Sequence, residues 1–387
     1  MAWHGVSTMD LRLQFVQAYE TGRYDMTELC DAFDISRPTG YKWVDRFAEH
    51  GRAGLVDQSR RPKTSPRATD PAVVELLCDA RRRHPTWSAR KLMGMLRPDH
   101  SRLTWPAKST ACAVLKKAKL VRASRRRDRQ HAPASALAPI TAANSTWTTD
   151  FKGEFRTGDG RYCYPLTLRD GFSRYVLRCD ALASKSEAIV RPRFERAFQE
   201  FGLPQRIRSD NGGPFAATGL TRLSRLSVWW IRLGIYPERI ALGHPEQNGS
   251  HEQFHRVLKA ETTRPPAATA IAQQRRFGRF VTEYNQVRPH EALADRPPAS
   301  CYTVSSRGYP RQLPPVEYAG HLDVRRVSAC GQVWWRGRPL YLAEALAGER
   351  VGFEEVADGI WRVHFSFVRL ALIDERTRRL SALRFDA

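Results

Sequence analysis

The sequence predicts a multidomain α+β protein in which helices come first, a mixed α/β region follows and short strands come last. Three observations along the 387 residues support this order. Residues 8–50 and 70–120 carry apolar side chains at helical spacing, and residues 144–262 alternate short strand-like runs with helical stretches. Residues 320–370 contain short alternating strands separated by turn residues. A chain of this length is sufficient for two to four domains.

The first helical region, residues 8–50, is interpreted as three helices. Ser36 can cap the third helix, and Pro38 suits its first turn. We expect its apolar, core-facing side to consist of Ile35, Tyr41, Val44 and Phe47. We expect its outward, DNA-binding side to consist of Arg37, Thr39, Lys42 and Arg46. This is a helix-turn-helix arrangement, whose second helix enters the major groove of DNA. An ordinary three-helix bundle is the alternative.

A second group of three helices is predicted in residues 70–120. Its third helix begins near Lys108, Ser109 and Thr110, which are further candidate DNA-binding residues. A basic, proline-rich linker, residues 59–66, joins the two groups, and a second arginine-rich linker occupies residues 121–143. Both linkers can follow DNA phosphates, and both can also serve as plain spacers.

The central region changes from helices to a mixture of strands and helices. Strands are predicted over Trp147–Thr149, Cys163–Leu168, Tyr175–Asp180 and Arg206–Ser209. A helix is predicted over Glu187–Phe201, and Gly202 ends it. This order predicts a mixed α/β sheet. The last region, with strands near 323–327, 332–335, 351–354 and 360–365, predicts a small β-barrel.

Composition points to a polyanionic partner. The chain carries 63 Lys and Arg against 40 Asp and Glu, a net charge of +23, which favours nucleic acid. Together with the helix-turn-helix units, this predicts double-stranded DNA as the partner. The seven cysteines form no CxxC pair, so we expect reduced thiols and no zinc finger. No apolar signal segment or membrane-length run is present, and we therefore expect a soluble, cytoplasmic protein with no membrane partner.

Three acidic residues occur in contexts that suggest a metal site. Asp150 and Asp210 each follow a strand-like run, and Glu252 opens an amphipathic helical stretch. Carboxylates that converge from two strand ends and a helix need compensating cations, and Mg²⁺ prefers such oxygen ligands. Two Mg²⁺ ions, with Mn²⁺ as a substitute, can then clamp the attacking and leaving oxygens of a phosphodiester.

The chain resembles the integrase-core (D,D,E) transposases of bacterial insertion sequences, which are relatives of the retroviral integrases. The resemblance rests on five stretches: Trp147–Phe151, Asp170–Tyr175, Ser209–Gly212, His244–Glu252 with Phe254, His255, Leu258 and Lys259, and Tyr284–Leu293. It extends over nearly the whole chain and implies an RNase H-like catalytic core, DNA strand transfer, and a bacterial, nucleoid-associated setting. The catalytic and metal-binding residues implied are Asp150, Asp210 and Glu252.

The third acid has two candidates. The family often places about 35 residues between its second and third acids, which suits Glu246, whereas 41 residues lie between Asp210 and Glu252. The context Asn248-Gly249 before Glu252 favours Glu252, with an insertion between Phe215 and Trp229 as the reason for the longer spacing. We also expect Asp170 to hold a turn, and Arg288 and His290 to be structural.

The resemblance and the charge together define our expectations for function. The predicted domains are residues 1–58 and 67–122 (helix-turn-helix), 123–143 (basic linker), 144–303 (RNase H-like core) and 318–387 (β-rich). The chain is expected to bind terminal repeats, hydrolyse the 3′ ends of the element and join them to target DNA. Arg256 and Lys259 share a helical face with Glu252 and are predicted to bind DNA phosphates.

Assembly and alternatives complete these expectations. Because both element ends must join one target, we expect at least a dimer on DNA, with Trp334, Trp335 and Trp361 either bridging copies or filling the barrel. A non-catalytic DNA-binding regulator would explain the charge but not the three acids. A nuclease of the same fold remains the other alternative, and a strand-transfer assay would separate the three.

Overall fold

The computed structural model describes residues 7–59, 68–121, 137–241, 244–377 and 379–382. The chain divides into two compact units, Met1–Ala68 and Thr69–Ala387. Most of the two predicted linkers, residues 60–67 and 122–136, lies outside the described residues. Within the described ranges, every helix is too short or too polar to cross a membrane.

The first unit is a group of three helices. These are α1 (Thr8–Glu20), α2 (Met26–Ala32) and α3 (Arg37–His50), followed by a 3₁₀ turn at Gly51–Leu55. Asp25 begins α2 with a capping box, because its carboxylate accepts from the Glu28 N–H while Glu28 accepts from the Asp25 N–H. Ser36 occupies the N-cap position of α3 as predicted, although its side chain makes no capping hydrogen bond.

The core face of α3 differs from the prediction. Trp43 is buried, whereas Tyr41, which we expected in the core, is 49% exposed. The helix can turn the face with Trp43 inward because α3 packs closely against α1 and α2 at Gly40. A Cβ at Gly40 would lie 2.8 Å from the sulfur atoms of both Cys30 and Met26. The rotation of α3 about its axis therefore depends on the absence of a side chain at Gly40. The apolar pattern of the helix was not sufficient to predict it.

The second unit begins with three more helices, α4 (Pro71–Arg83), α5 (Ala89–Leu96) and α6 (Lys108–Lys117). They share a core of buried apolar residues that includes Trp87. This helical group also contacts the central region, because the Arg90 guanidinium donates to both Asp295 carboxylate oxygens at 2.9–3.0 Å. The second helix-turn-helix candidate is therefore part of the same compact unit as the α/β region.

A six-stranded sheet forms the centre of the second unit. Its strands are β1 (Thr146–Phe151), β2 (Phe155–Arg156), β3 (Tyr162–Asp170), β4 (Val176–Leu182), β5 (Arg206–Ser209) and β6 (Tyr236–Arg239). The spatial order is β4-β3-β1-β5-β6, with the short β2 beside β3. The pairs β4·β3 and β3·β1 are antiparallel, while β1·β5 and β5·β6 are parallel. The predicted mixed sheet is confirmed.

Helices cover both faces of this sheet. Four helices follow in the chain: α7 (Glu187–Phe201), α8 (Arg225–Arg232), α9 (Gly249–Thr262) and α10 (Ala270–Gln286). One core contains Trp147 of β1, Phe194 and Phe198 of α7 and Trp230 of α8. Another core joins β3 and β4 to α9 and α10. The sheet is thus the middle layer of three, and its strand ends are left free to present side chains.

The C-terminal region is β-rich. Its strands are β7 (Asp323–Arg326), β8 (Gln332–Trp335), β9 (Arg338–Tyr341), β10 (Arg350–Ala357), β11 (Ile360–Phe365), β12 (Val368–Asp374) and β13 (Arg379–Ala382). Five of them form a sheet in the order β13-β12-β11-β10-β7, and β8 pairs with β9. In the described residues β7 and β13 are the two ends of the sheet, so the predicted closed barrel is not confirmed.

The three tryptophans of this region differ in burial. Trp335 is buried against Phe353 and Trp361, and Trp361 is half-buried. Trp334 is 65% exposed because side chains alternate across a strand. Two of the three therefore contribute to the local core, and Trp334 alone among them remains free for contact with another molecule.

Candidate active site

Asp150 and Asp210 lie at the same end of the sheet because of strand register. Strands β1 and β5 are parallel neighbours, in which Thr146 pairs with Arg206 and Thr148 with Arg208. Two residues further along each chain segment, β1 reaches Asp150, and Asp210 directly follows Ser209, the last residue of β5. The Asp210 carboxylate accepts a hydrogen bond from the Gly212 N–H at 3.1 Å, which orients it in the loop after β5.

Glu252 is supplied by α9, which packs against β1. Two histidines hold this helix in place: His251 Nε2 and His255 Nε2 each lie 2.7 Å from Thr167 Oγ1 on β3. His251 Nδ1 also lies 2.9 Å from Thr148 Oγ1 on β1. Residues four apart on a helix share a face, so His251 and His255 point at the strands while Glu252 is exposed.

The hydrogen bonds define the tautomers of the two histidines. Thr167 Oγ1 donates its only proton to the Asp150 carbonyl at 3.0 Å, so each histidine Nε2 donates to Thr167. Burial lowers the pKa of His255 to about 3 and lowers that of His251 well below its ordinary value. His255 Nδ1 is 3.6 Å from Asp150 Oδ2, and this contact is therefore made by a neutral imidazole and is not an ion pair.

The Asp150 carboxyl group is in an electrostatically unfavourable place for a charge. Burial, and after it the negative charges of Asp210 and Glu252, raise its pKa to about 7. A backbone hydrogen bond and the charge of Lys152 act in the opposite direction but are outweighed. The charges of Asp210 and Glu252 therefore act on the Asp150 carboxyl group.

The donor chemistry of this group fits a hard divalent cation. All three side chains offer carboxylate oxygens, and the raised pKa of Asp150 indicates negative charge that lacks compensation. In the described part of the chain, no three His, Cys, Asp or Glu side chains are drawn together closely enough to enclose a metal. The side chain of Glu246, the alternative third acid, lies outside the described residues; its backbone is in a 3₁₀ turn, Pro245–Asn248, before α9.

Basic residues lie beside the acids. The charges of Lys259 and Arg264 lower the pKa of Lys152, after the larger effect of burial, so these cations are near one another. Arg256 and Lys259 are both exposed on α9, four and seven residues after Glu252. The carboxylates are therefore bordered by positive charge, which is the arrangement that a phosphate backbone requires.

Family models match most of the chain. Two models described as an integrase core domain match residues 140–245 and 233–298. A helix-turn-helix domain matches residues 11–63, and a homeodomain-like domain matches residues 39–112. The C-terminal domain of IS481 family transposases matches residues 322–381.

Curated relatives agree with these models. An uncharacterized 39.2 kDa protein of insertion element IS476 from Xanthomonas euvesicatoria is 26% identical over 249 residues, which cover 64% of this chain and 69% of the relative. An uncharacterized 31.7 kDa protein of insertion element IS407 from Burkholderia multivorans is 28% identical over 174 residues, or 45% of this chain and 60% of the relative. The chain belongs to the insertion-sequence transposases with an integrase core, relatives of the retroviral integrases.

This assignment has consequences for fold and enzyme class. The central region of the transposase has an RNase H-like fold of mixed α and β content, and its N-terminal helices form helix-turn-helix domains. An integrase core implies an enzyme of the polynucleotidyl transferase type. Among solved structures, the HTLV-2 integrase catalytic core domain in complex with magnesium aligns with a TM-score of 0.31 and 15% identity, covering 42% of this chain and 98% of that chain.

The remaining candidate residues lie on the helical surfaces of the transposase. Arg37 and Lys42 are exposed on α3, and Thr39 and Arg46 are half-buried there. Lys42 and Arg46 lie 4.6 Å and 5.4 Å from the centre of the Trp43 ring, which holds both cations close to the helix. Lys108, Ser109 and Thr110 are all exposed in the first turn of α6.

The structure adds residues that the sequence interpretation did not assign. His251, His255 and Thr167 join α9 to the sheet, and only the spacing of the two histidines gave a local signal. Asp170 holds a turn as predicted, because its carboxylate accepts from the backbone N–H groups of Asn144 and Ser173.

Proposed function

We propose that this transposase binds the terminal repeats of its element, hydrolyses their 3′ ends and joins those ends to target DNA. The observation that carries the proposal is the partly buried Asp150 carboxyl, whose pKa is raised by burial and by the charges of Asp210 and Glu252. Acids brought together at this cost are typical of catalytic sites. If the three acids only stabilised the fold, each would need a paired cation. None of the three has an ion pair with Lys or Arg in the described residues.

The proposed catalytic residues are Asp150, Asp210 and Glu252, which would hold two Mg²⁺ ions. When bound, the cations supply Lewis acidity to the scissile phosphodiester and stabilise charge on the attacking and leaving oxygens. Asp150 and Asp210 would face the phosphate from the strand ends, and His251 and His255 would keep α9 at the distance that Glu252 needs. Lys152 and Lys259 would bind the neighbouring phosphates.

The proposed reaction has two steps, and in each of them one P–O bond forms while another breaks. In the first, the oxygen of water bonds to phosphorus at the element end and the P–O3′ bond breaks, leaving a free 3′-OH. In the second, that 3′-OH bonds to a target phosphorus while the target P–O3′ bond breaks. The number of phosphodiester bonds is unchanged in the second step, so no external energy source is needed.

The proposed division of labour follows the predicted domains. Residues 1–58 and 67–122 would read sequence, residues 144–303 would catalyse, and residues 318–387 would support assembly of at least a dimer on paired ends. Arg37, Thr39, Lys42 and Arg46 of α3, and Lys108, Ser109 and Thr110 of α6, are the proposed DNA contacts. Two linked reading units raise the joint affinity for one site through effective concentration.

A strand-transfer assay with the full chain tests the proposal. Linear donor DNA that ends in the terminal repeat is incubated with supercoiled target in Mg²⁺, in EDTA, and in EDTA followed by excess Mg²⁺. We expect joined products only in the first and third reactions. The variants Asp150→Asn and Asp210→Asn should bind donor DNA but give at least a 100-fold lower rate of joining. Equal rates in EDTA, or a fully active Asp150→Asn, would exclude the proposed site.

A further inference from the structure

A basic cavity lies between β3, the beginning of α9 and the segment that follows α10. Its volume is about 540 Å³. Four cationic side chains line it: Lys91, Arg169, Arg174 and Arg288. Arg288 and His290 are expected to be structural, no role is predicted for Arg169 or Arg174, and the proposed reaction makes no use of this cavity.

Arg169 is the most unusual of these cations. It is only 2% exposed, yet in the described residues no carboxylate lies within ion-pair distance of it. Its Nη2 donates to Ser250 Oγ at 2.8 Å, while its Nε, buried as well, has no hydrogen-bond partner. Burial lowers the pKa of Arg169, but a guanidinium stays charged in proteins. A buried charge without a counter-ion is strongly destabilising, so the site favours an anion.

The other charges around the cavity do not cancel this excess. Arg288, 3% exposed, donates to Glu261 at 2.7 Å, but its Nε is also buried without a partner. Glu291 lines the cavity as well, and its carboxylate is bonded to Arg90. Burial and the charge of Arg288 lower the pKa of Lys91 to about 8. Lys91 therefore keeps most of its charge at neutral pH and experiences repulsion that an anion would relieve.

The first turn of α9 adds donors to the same cavity. Gly249 and Ser250 line it at the start of this 14-residue helix, directly after the 3₁₀ turn Pro245–Asn248, where the positive end of the helix dipole lies. The Ser250 hydroxyl accepts from Arg169 and Arg174, so its own proton is available to a ligand. Helix N-termini combined with guanidinium groups bind phosphate oxygens well, because several donors converge on one charge.

We propose that this cavity binds a phosphate group. Arg169 Nε, Arg288 Nε and the Ser250 hydroxyl donate to its oxygens, and Lys91 and Arg174 neutralise its charge. The phosphate is either a phosphodiester of bound DNA or a free phosphate that stabilises the fold; only the first source rests on the proposed function. In both cases the ligand fastens β3, α9 and the segment after α10 to one another.

Equilibrium dialysis of the full chain with radiolabelled inorganic phosphate, at constant ionic strength set by NaCl, tests the site. We expect saturable binding of one phosphate per chain. The double variant Lys91→Gln, Arg174→Gln removes two charges from positions that are not deeply buried, and its Kd should rise at least 10-fold. Arg311→Gln, which removes an exposed charge outside the cavity, is the control and should bind as the unchanged chain does. Absence of saturable binding, or an unchanged Kd in the folded double variant, would overturn the proposal.

Two further arms identify the source and separate this site from the catalytic one. If a short DNA duplex displaces the labelled phosphate, the natural ligand is a phosphodiester; if DNA binds without displacing it, the ligand is a free phosphate. Asp150→Asn should bind phosphate with the affinity of the unchanged chain. Because phosphate binding is measured without catalysis, its result for Asp150→Asn tests the cavity alone. The catalytic activity of that variant tests only the proposed reaction.

Discussion

His255 Nδ1 lies 3.6 Å from Asp150 Oδ2, while the opposite nitrogen of the same ring bonds to Thr167 Oγ1 at 2.7 Å. One imidazole thus bonds the helix that carries Glu252 to β3, and its other nitrogen lies beside the Asp150 carboxyl group. Thr167 is the shared centre, since His251, His255 and the Asp150 carbonyl all bond to its hydroxyl. The position of Glu252 therefore depends on the hydrogen bonds that the neutral side chains His251 and His255 make to Thr167.

The first prediction concerns Thr167. The variant Thr167→Val keeps the shape of the side chain but leaves two buried imidazole N–H groups without an acceptor. Each unpaired group costs about 1–3 kcal/mol, so the free energy of unfolding should fall by at least about 2 kcal/mol. Urea unfolding measures it. The exposed Thr282→Val on α10 is the matched control and should change stability by less than about 0.5 kcal/mol. Equal effects in both variants would contradict the network.

The second prediction decides between Glu252 and Glu246. Glu252→Gln should lower the rate of end cleavage at least 100-fold, because the charge of Glu252 acts on Asp150 from the adjacent helix. Glu246→Gln should retain cleavage within a few-fold of the unchanged chain. Single-turnover cleavage of end-labelled donor DNA measures both rates. The reverse result would assign the third acid to Glu246.

The third prediction concerns the exposed basic face of α9. Arg256→Glu with Lys259→Glu should weaken binding of element ends and reduce the slope of log Kd against log salt by about 2, because each lost phosphate contact removes about one unit. Fluorescence anisotropy at several salt concentrations provides the slope. Arg275→Glu with Arg279→Glu, an exposed pair four residues apart on one face of α10, is the control. An unchanged slope in the first variant would remove α9 from the DNA interface.

The fourth prediction concerns pH and stability. Burial, followed by the charges of Lys91, Arg288, Arg169 and Arg174, lowers the pKa of His290 to about 3. Because its pKa in the folded chain is below the unfolded value of about 6.5, the unfolded state binds more protons and stability falls as pH decreases from about 6.5 toward 3. Between pH 6.5 and pH 5 this histidine should account for a loss of about 2 kcal/mol.

The variant His290→Gln tests the pH prediction. Its loss of stability between pH 6.5 and pH 5 should be smaller than that of the unchanged chain, as measured by urea unfolding. The exposed His321→Gln should retain the full loss. Asp150 has the opposite sign, since its raised pKa makes the fold more stable as pH falls below about 7. A His290→Gln variant with unchanged acid sensitivity would show that His290 is protonated in the fold.

The fifth prediction concerns assembly. Trp334, at 65% exposure, should be replaceable by Ser with little loss of stability, whereas Trp335→Ser should cost about 3–5 kcal/mol because it empties a buried site. If residues 318–387 join copies on DNA, Trp334→Ser should lower the amount of complex that contains two element ends. Mass measurement of the DNA-bound complex counts the copies. A single copy on two ends would reject the dimer.

Local sequence was sufficient for much of the architecture. The helix Glu187–Phe201 was predicted with the bounds that the structure has, since Gly202 with a φ of +73° ends it in a conformation that favours glycine. The strand ends that carry Asp150 and Asp210 were predicted from short apolar runs, because strand periodicity and flanking turns lie within a few residues. The strand β6 and helix α8 were missed, since β6 contains Pro237 and α8 is too short to show a clear period.

Only the tertiary structure determined which distant residues contact one another. Thr167 meets His251 and His255 across 84 and 88 residues of sequence, and Arg169 meets Ser250 across 81, so no local pattern could indicate these contacts. Gly40 decided which face of α3 is buried, because only a close helix crossing makes Trp43 a core residue. The sequence by itself therefore determined the elements and the charged groups they carry. Which of those groups are buried, paired or left without a counter-ion depends on packing between distant segments, since burial and charge act through space and not along the chain.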